Sequence, residues 1–223
     1  DVFTLAHEGG HSMHSWYSSR NNPFQHYSYT IFEAEVASTF NEQLLASHLI
    51  ARAESNAMKA YIISKQLDDI VATMFRQTMF AEFEHRMHAS QESGSPVTLS
   101  LVRTTYRELL EAYFGDAMIL EEVRDLEALR IPHFYRAFYV YKYATGLSAA
   151  LALSRTVMDG STAERDRYLA FLRSGGSRYP IESLRKAGVD MSSPAPVYAA
   201  ADVFTSLLET LESLLQIPPG GSA

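Results

Sequence analysis

Apolar residues recur at helical spacing along almost the whole chain. The segment after Val197 shows this most plainly: Phe204, Leu207, Leu208, Leu211 and Leu215 form the stripe of an amphipathic helix lying on a core. The same period predicts a first helix from His7 to about Ser18, broken by Arg20-Asn21-Asn22-Pro23, and a second from about Ile31 past Leu49. A third and longest helix is expected from Ala57 to His88, ending at Ser93-Gly94-Ser95-Pro96, and another from Leu101 to Phe114, stopped by Gly115. After Pro132 an apolar, tyrosine-rich stretch runs to about Val157. Short helices follow around Ala163–Leu172 and Ile181–Lys186, with Gly175-Gly176-Ser177 as the turn between them. Alternating strand patterns, fixed-period repeats and low-complexity tracts are missing. The pattern therefore predicts an all-α fold, with residues 1–223 as one multi-helix domain and a frayed tail at Pro218-Pro219-Gly220-Gly221.

Composition narrows the classes. With 223 residues, 47% of them hydrophobic, the chain can bury one large core. A formal net charge of -7 argues against nucleic acid or an anionic membrane as partner. Zero cysteines exclude a disulfide framework, a thiolate metal site and a thiol nucleophile. No window reaches the ~18 apolar residues of a membrane span. The chain opens on Asp1, six residues before His7, without an initiator methionine, so a fragment of a longer chain is expected.

The chemistry begins in TLAHEGGHSMHS, Thr4 to Ser15. His7, Glu8 and His11 form HExxH. At helical spacing the two imidazoles project from one face, one turn apart, and can reach one cation. Glu8 points to the flank, where it can meet a water rather than the metal. Zinc hydrolysis needs that division: neutral nitrogens hold Zn²⁺, and a carboxylate takes the proton of a water whose pKa the metal lowers to about 7. Chance placement of these residue types would give on the order of 0.02 matches in a chain of this composition. A third protein ligand is required, leaving one position for water. The following helix offers Glu33, Glu35 and Glu42 within FEAEVASTFNE; Glu35 and Glu42 share a face, and Glu33 points elsewhere.

A further distinctive stretch is IPHFYRAFYVYKYATG, Ile131 to Gly146, with His133, Tyr135, Tyr139, Tyr141 and Tyr143. Peptide hydrolysis passes through an oxyanion, and phenol or imidazole donors suit it. Aromatics at helical spacing also serve as core, with hydroxyls bonded to backbone. His14, one turn beyond His11, fits a packing or supporting role better than a fourth ligand, which would close the water position. His85 and His88 have no carboxylate pattern to complete a site, and His26 and His48 have no constellation.

These segments together, HEGGHSMHS followed by FEAEVASTFNE and then HFY…FYVYKYATG, resemble the oligoendopeptidase F branch of the thimet-oligopeptidase family of zinc metallopeptidases, in its C-terminal catalytic portion. The resemblance implies one Zn²⁺ per chain held by His7, His11 and Glu35, with Glu8 as general base. It implies that His133 and tyrosines stabilise the oxyanion, Tyr139 and Tyr141 first and Tyr135 behind them as a substrate contact. It also implies a cytoplasmic enzyme acting on short peptides, whose missing N-terminal part closes the other wall of a channel. Glu42 is expected to hold a ligating imidazole by its other nitrogen.

The two glycines of HEGGH divide. Gly10 matches the family's HExGH pattern and is expected to spare room for metal or substrate. Gly9 departs from the pattern and suggests close packing on the back of the helix, or a weakened helix. Two readings compete with the zinc endopeptidase. One is a helical scaffold or binding domain with a structural metal; the other is a metal-dependent hydrolase of a non-peptide amide.

Overall fold

The computed structural model describes residues 1–216. It holds nine α-helices and four short 3₁₀ or π segments, with no strand among the described residues, as the hydrophobic period predicts. The expected frayed tail at 218–221 lies outside the described residues. None of the helices is long and apolar enough to cross a membrane.

The described residues group into two compact units. The first comprises Asp1–Ile70 and the chain from Thr145 onward. It contains α1 (Val2–Asn21), α2 (Ile31–Arg52), α3 (Asn56–Ile70), most of α6 (Tyr141–Asp159), α7 (Thr162–Ser174), α8 (Pro180–Ala187) and α9 (Ala195–Leu215). Its core gathers Val36, Ala37 and Phe40 of α2 with Ala149, Ala150 and Leu153 of α6, and with Tyr168, Phe171, Leu172 and Leu184. Phe40 stacks on Tyr168 at 3.8 Å between ring centroids. α9 lies against α3, and α1 against both α2 and α7.

The second unit, Val71–Ala144, contains α4 (Arg76–Glu92) and α5 (Leu99–Phe114). Met79, Phe80 and Phe83 meet Tyr106, Leu109, Leu110, Ala128, Ile131 and Val140 in its core. The buried Glu127 carboxylate is tied to Arg76 and Arg130 and accepts from the Tyr106 hydroxyl at 3.0 Å. Removing any one partner would leave a buried charge under-paired, which is the costly case for such networks.

Local chemistry explains the boundaries. α1 starts five residues earlier than the hydrophobic period suggested, because the Asp1 carboxylate caps it by accepting from the Thr4 N–H at 2.9 Å. α7 opens on a cap in which Glu164 accepts from the Ser161 hydroxyl and from the Ser161 N–H, and those bonds hold its carboxyl down at about 2. The single long helix expected from Ala57 to His88 is divided: α3 and α4 are separated by one π-helical turn, Val71–Phe75. The largest departure is in the tyrosine-rich stretch. Pro132–Tyr135 is a 3₁₀ turn, and helix α6 begins only at Tyr141.

Candidate metal centre

The first unit brings α1 and α2 together in antiparallel register, early residues of α1 facing later residues of α2. The Asn41 amide donates to the Ala6 carbonyl at 2.7 Å, and His7 Nδ1 lies 2.9 Å from a Glu42 carboxylate oxygen. At the crossing sits Gly10. A Cβ there would come within 2.6 Å of the Ala37 carbonyl oxygen and of Ser38 Cα, both of them backbone atoms of α2. Only glycine allows this approach.

That approach sets the reach of the third carboxylate. Ligand atoms of His7, His11 and Glu35 all lie within 4.8 Å of one another. The His7 and His11 Nε2 atoms are 3.1 Å apart, and His7 Nε2 is 3.8 Å from a Glu35 oxygen. Two nitrogens bound to one tetrahedral zinc would be separated by ~3.3 Å. The donor chemistry also fits. If His7 donates its Nδ1 proton to Glu42, its neutral ring turns a lone pair from Nε2 toward the Nε2 of His11. A shared cation accepts both lone pairs; without one, a proton must lie between the rings. Glu42 meets the Nδ1 of His7, the place carboxylates commonly take beside histidines that bind a metal through the other nitrogen. The Glu42 bond raises the His7 pKa against the lowering effect of burial, and the charges of Glu42, Glu35 and Glu8 add to it.

Gly146 of α6 completes the corner. Its absent side chain leaves room for Glu35, whose Cβ would lie 3.0 Å from a Cβ at that position. In the sequence Gly146 stands only as the last residue of the tyrosine-rich stretch, with no role of its own.

The close packing expected of Gly9 falls instead to Gly10. Gly10 is buried against the backbone of α2 and offers no face to a substrate, so its expected substrate-binding role is corrected to helix–helix approach. Around α1, Gly10 and Glu8 occupy opposite flanks of the histidine face. α2 takes the Gly10 flank, and Glu8 is exposed on the other. Gly9, expected to pack closely, would meet only the Asn41 amide at an ordinary 3.4 Å.

His14 is not among the grouped ligands. It is 1% exposed, stacks on Tyr29 with centroids 3.6 Å apart, and its Nδ1 has no hydrogen-bond partner. Burial, with a smaller contribution from His11, pushes its pKa down to about 3, so it packs as a neutral ring. The Tyr29 hydroxyl bonds Ser15 at 2.8 Å and strengthens this strap along α1.

The second unit gathers the other predicted donors. His133 stacks in parallel on Tyr139, with centroids 5.6 Å apart, and its Nε2 is 3.3 Å from the Tyr143 hydroxyl. Tyr143 was not among the favoured tyrosines; a ten-residue separation across irregular backbone carries no periodic signal. Lys142 lies over the rings of both Tyr139 and Tyr141. Tyr135 is 79% exposed and spends its hydroxyl on the Leu129 carbonyl at 3.3 Å. His88 meets the Phe138 ring, and His85 joins no metal-ligating group among the described residues.

Residues 1–203 match the model of peptidase family M3. The chain belongs to that family. Among M3 relatives, the oligopeptidase PepF of Bacillus subtilis is 47% identical over 96% of this chain and 32% of its own length. An oligoendopeptidase F homolog of Borreliella burgdorferi is 46% identical over 97% of this chain and 37% of its own. The crystal structure of oligoendopeptidase-F from Enterococcus faecium superposes with a TM-score of 0.86 at 40% identity, covering 97% of this chain and 39% of that one. This M3 chain thus spans about a third of the length of the relatives it matches. The matches fix that share, and nothing in them supports the expected C-terminal placement within the longer chains.

Proposed function

We propose that this chain, as one catalytic domain of a longer peptidase, serves a zinc-dependent endopeptidase that cleaves short peptides. The observation that carries the proposal is the convergence of the His7, His11 and Glu35 ligand atoms beside an exposed Glu8. Membership of a peptidase family supports the reaction class, and the likeness to an oligopeptidase and an oligoendopeptidase F homolog supports oligopeptides as substrates. His7, His11 and Glu35 would hold a zinc ion, which would supply Lewis-acid activation of water and of the scissile carbonyl.

The chain's own residues do the rest. Glu42 holds His7 by its Nδ1 and fixes which nitrogen faces the metal. Glu8 accepts a proton from the attacking water and returns it to the leaving amine. From the family resemblance, His133, Tyr139 and Tyr141 donate to the oxyanion, and Tyr135 contacts substrate. The same resemblance supports a cytoplasmic enzyme whose partner is the remainder of the longer chain.

The test is hydrolysis of a quenched oligopeptide by the full-length enzyme. Chelation is expected to abolish turnover and zinc to restore it. Glu8→Gln should retain zinc while losing at least ~10²-fold in kcat, the usual worth of a positioned general base. Retained turnover in Glu8→Gln would remove Glu8 from the mechanism.

A further inference from the structure

Within the second unit the tyrosine-rich segment turns through an unusual backbone. Phe138 has φ of 55°, in the left-handed region that residues with a side chain seldom occupy. The His88 ring meets the Phe138 ring, and a buried carboxylate meets the backbone of the turn. The carboxylate of Glu84, on α4 and 4% exposed, accepts from the Phe138 N–H at 2.7 Å. Fifty-four residues of chain separate the two groups, so no local turn chemistry accounts for the bond. The residue after Phe138 is Tyr139, which lies parallel to the His133 ring. Tyr139 in turn meets Tyr143, the partner of His133 Nε2. Glu84 therefore grips the one strained residue of the segment, next to its stacked pair.

We propose that Glu84 is the positioning residue of this segment, its buried carboxylate fixing the left-handed turn at Phe138 from which Tyr139 is presented to His133. Its bearing on catalysis rests on the reading of His133 and Tyr139 as oxyanion donors; its bearing on the turn does not.

The two parts separate in one experiment on the zinc-loaded, full-length enzyme. Glu84→Met keeps length and burial but accepts no strong hydrogen bond, whereas Glu84→Gln keeps an acceptor oxygen. In Glu84→Met the Phe138 amide should exchange with solvent at least about tenfold faster, and kcat should fall by at least about tenfold. KM should change less than kcat, with zinc content unchanged. Glu84→Gln should stay within about threefold of wild type. Adding Phe138→Gly, which adopts positive φ without strain, should recover part of the kcat lost in Glu84→Met. Wild-type amide exchange in Glu84→Met overturns the proposal, as does equal impairment of the Met and Gln variants or loss of zinc in both. An unaltered kcat despite faster exchange overturns the catalytic part. A wild-type enzyme that cleaves no peptide refutes the proposed function instead, and the exchange measurement still decides the role of Glu84.

Discussion

The histidine–glutamate corner and the tyrosine-rich segment are built in opposite ways. In the corner, α1 and α2 supply every ligand atom, and their regular geometry brings the three within 4.8 Å. Helical spacing places His7 and His11, and the Gly10 crossing places Glu35. In the segment, His133 stands on a short 3₁₀ turn and Tyr139 follows a residue at φ of 55°. Nothing periodic places those rings, and the contacts around them come from residues outside any shared helix: His133 meets Tyr143, and the Phe138 N–H donates to Glu84. Loss of a ligand or of its hydrogen-bond partner in the corner should be felt at the metal, whereas loss of a supporting bond in the segment should lower turnover and leave metal binding unchanged.

The largest expected effect is at the ligands. Glu35→Ala should weaken zinc affinity by more than ~100-fold, while Glu42→Ala, which only frees the far side of His7, should cost ~10–100-fold. Titration against a zinc-buffering chelator reads both. Equal losses would mean that the two carboxylates share the ligand role and that the corner is less sharply defined than its distances indicate.

Gly10→Ala should follow in size. Its Cβ would strike backbone, which cannot rotate away, so about 1–3 kcal/mol of stability should be lost. Gly9→Ala, with ordinary contact to a side-chain amide, should instead gain up to ~1 kcal/mol. Thermal melting of the pair separates a helix crossing from a general dislike of side chains at HEGGH. The smallest effect is expected in the segment: Tyr143→Phe removes the hydroxyl beside His133 and should lower kcat about fivefold, one ordinary hydrogen bond, with zinc affinity unchanged. A change in zinc affinity there would blur the distinction between the two regions.

What the sequence made legible follows the same division. Helical periodicity located the α-helices and put His7 and His11 on one face, because both depend on neighbours within a turn or two. The same angular reasoning put Gly10 and Glu8 on opposite flanks, yet it could not say which flank another helix would cover. That depends on α2, and so the close packing expected of Gly9 is found at Gly10. Gly146 beside Glu35 was missed for a like reason, since its function lies in what another helix brings near. In Ala57–His88 the apolar pattern continues through Val71–Phe75 without a break, which hid the π turn. Tyr143 and Glu84 depend on contacts ten and fifty-four residues away through non-helical backbone, where sequence spacing carries no geometric information.

The central claim is that His7, His11 and Glu35 hold one zinc and leave a coordination position open for water. Zinc-edge anomalous scattering from crystals of the full-length enzyme tests it most directly, because it locates the metal and its coordinating atoms together. The account predicts one zinc per chain, bound through Nε2 of His7 and of His11 and an oxygen of Glu35, with no fourth protein ligand. A fourth protein ligand closing the site, or zinc located away from His7, would contradict it.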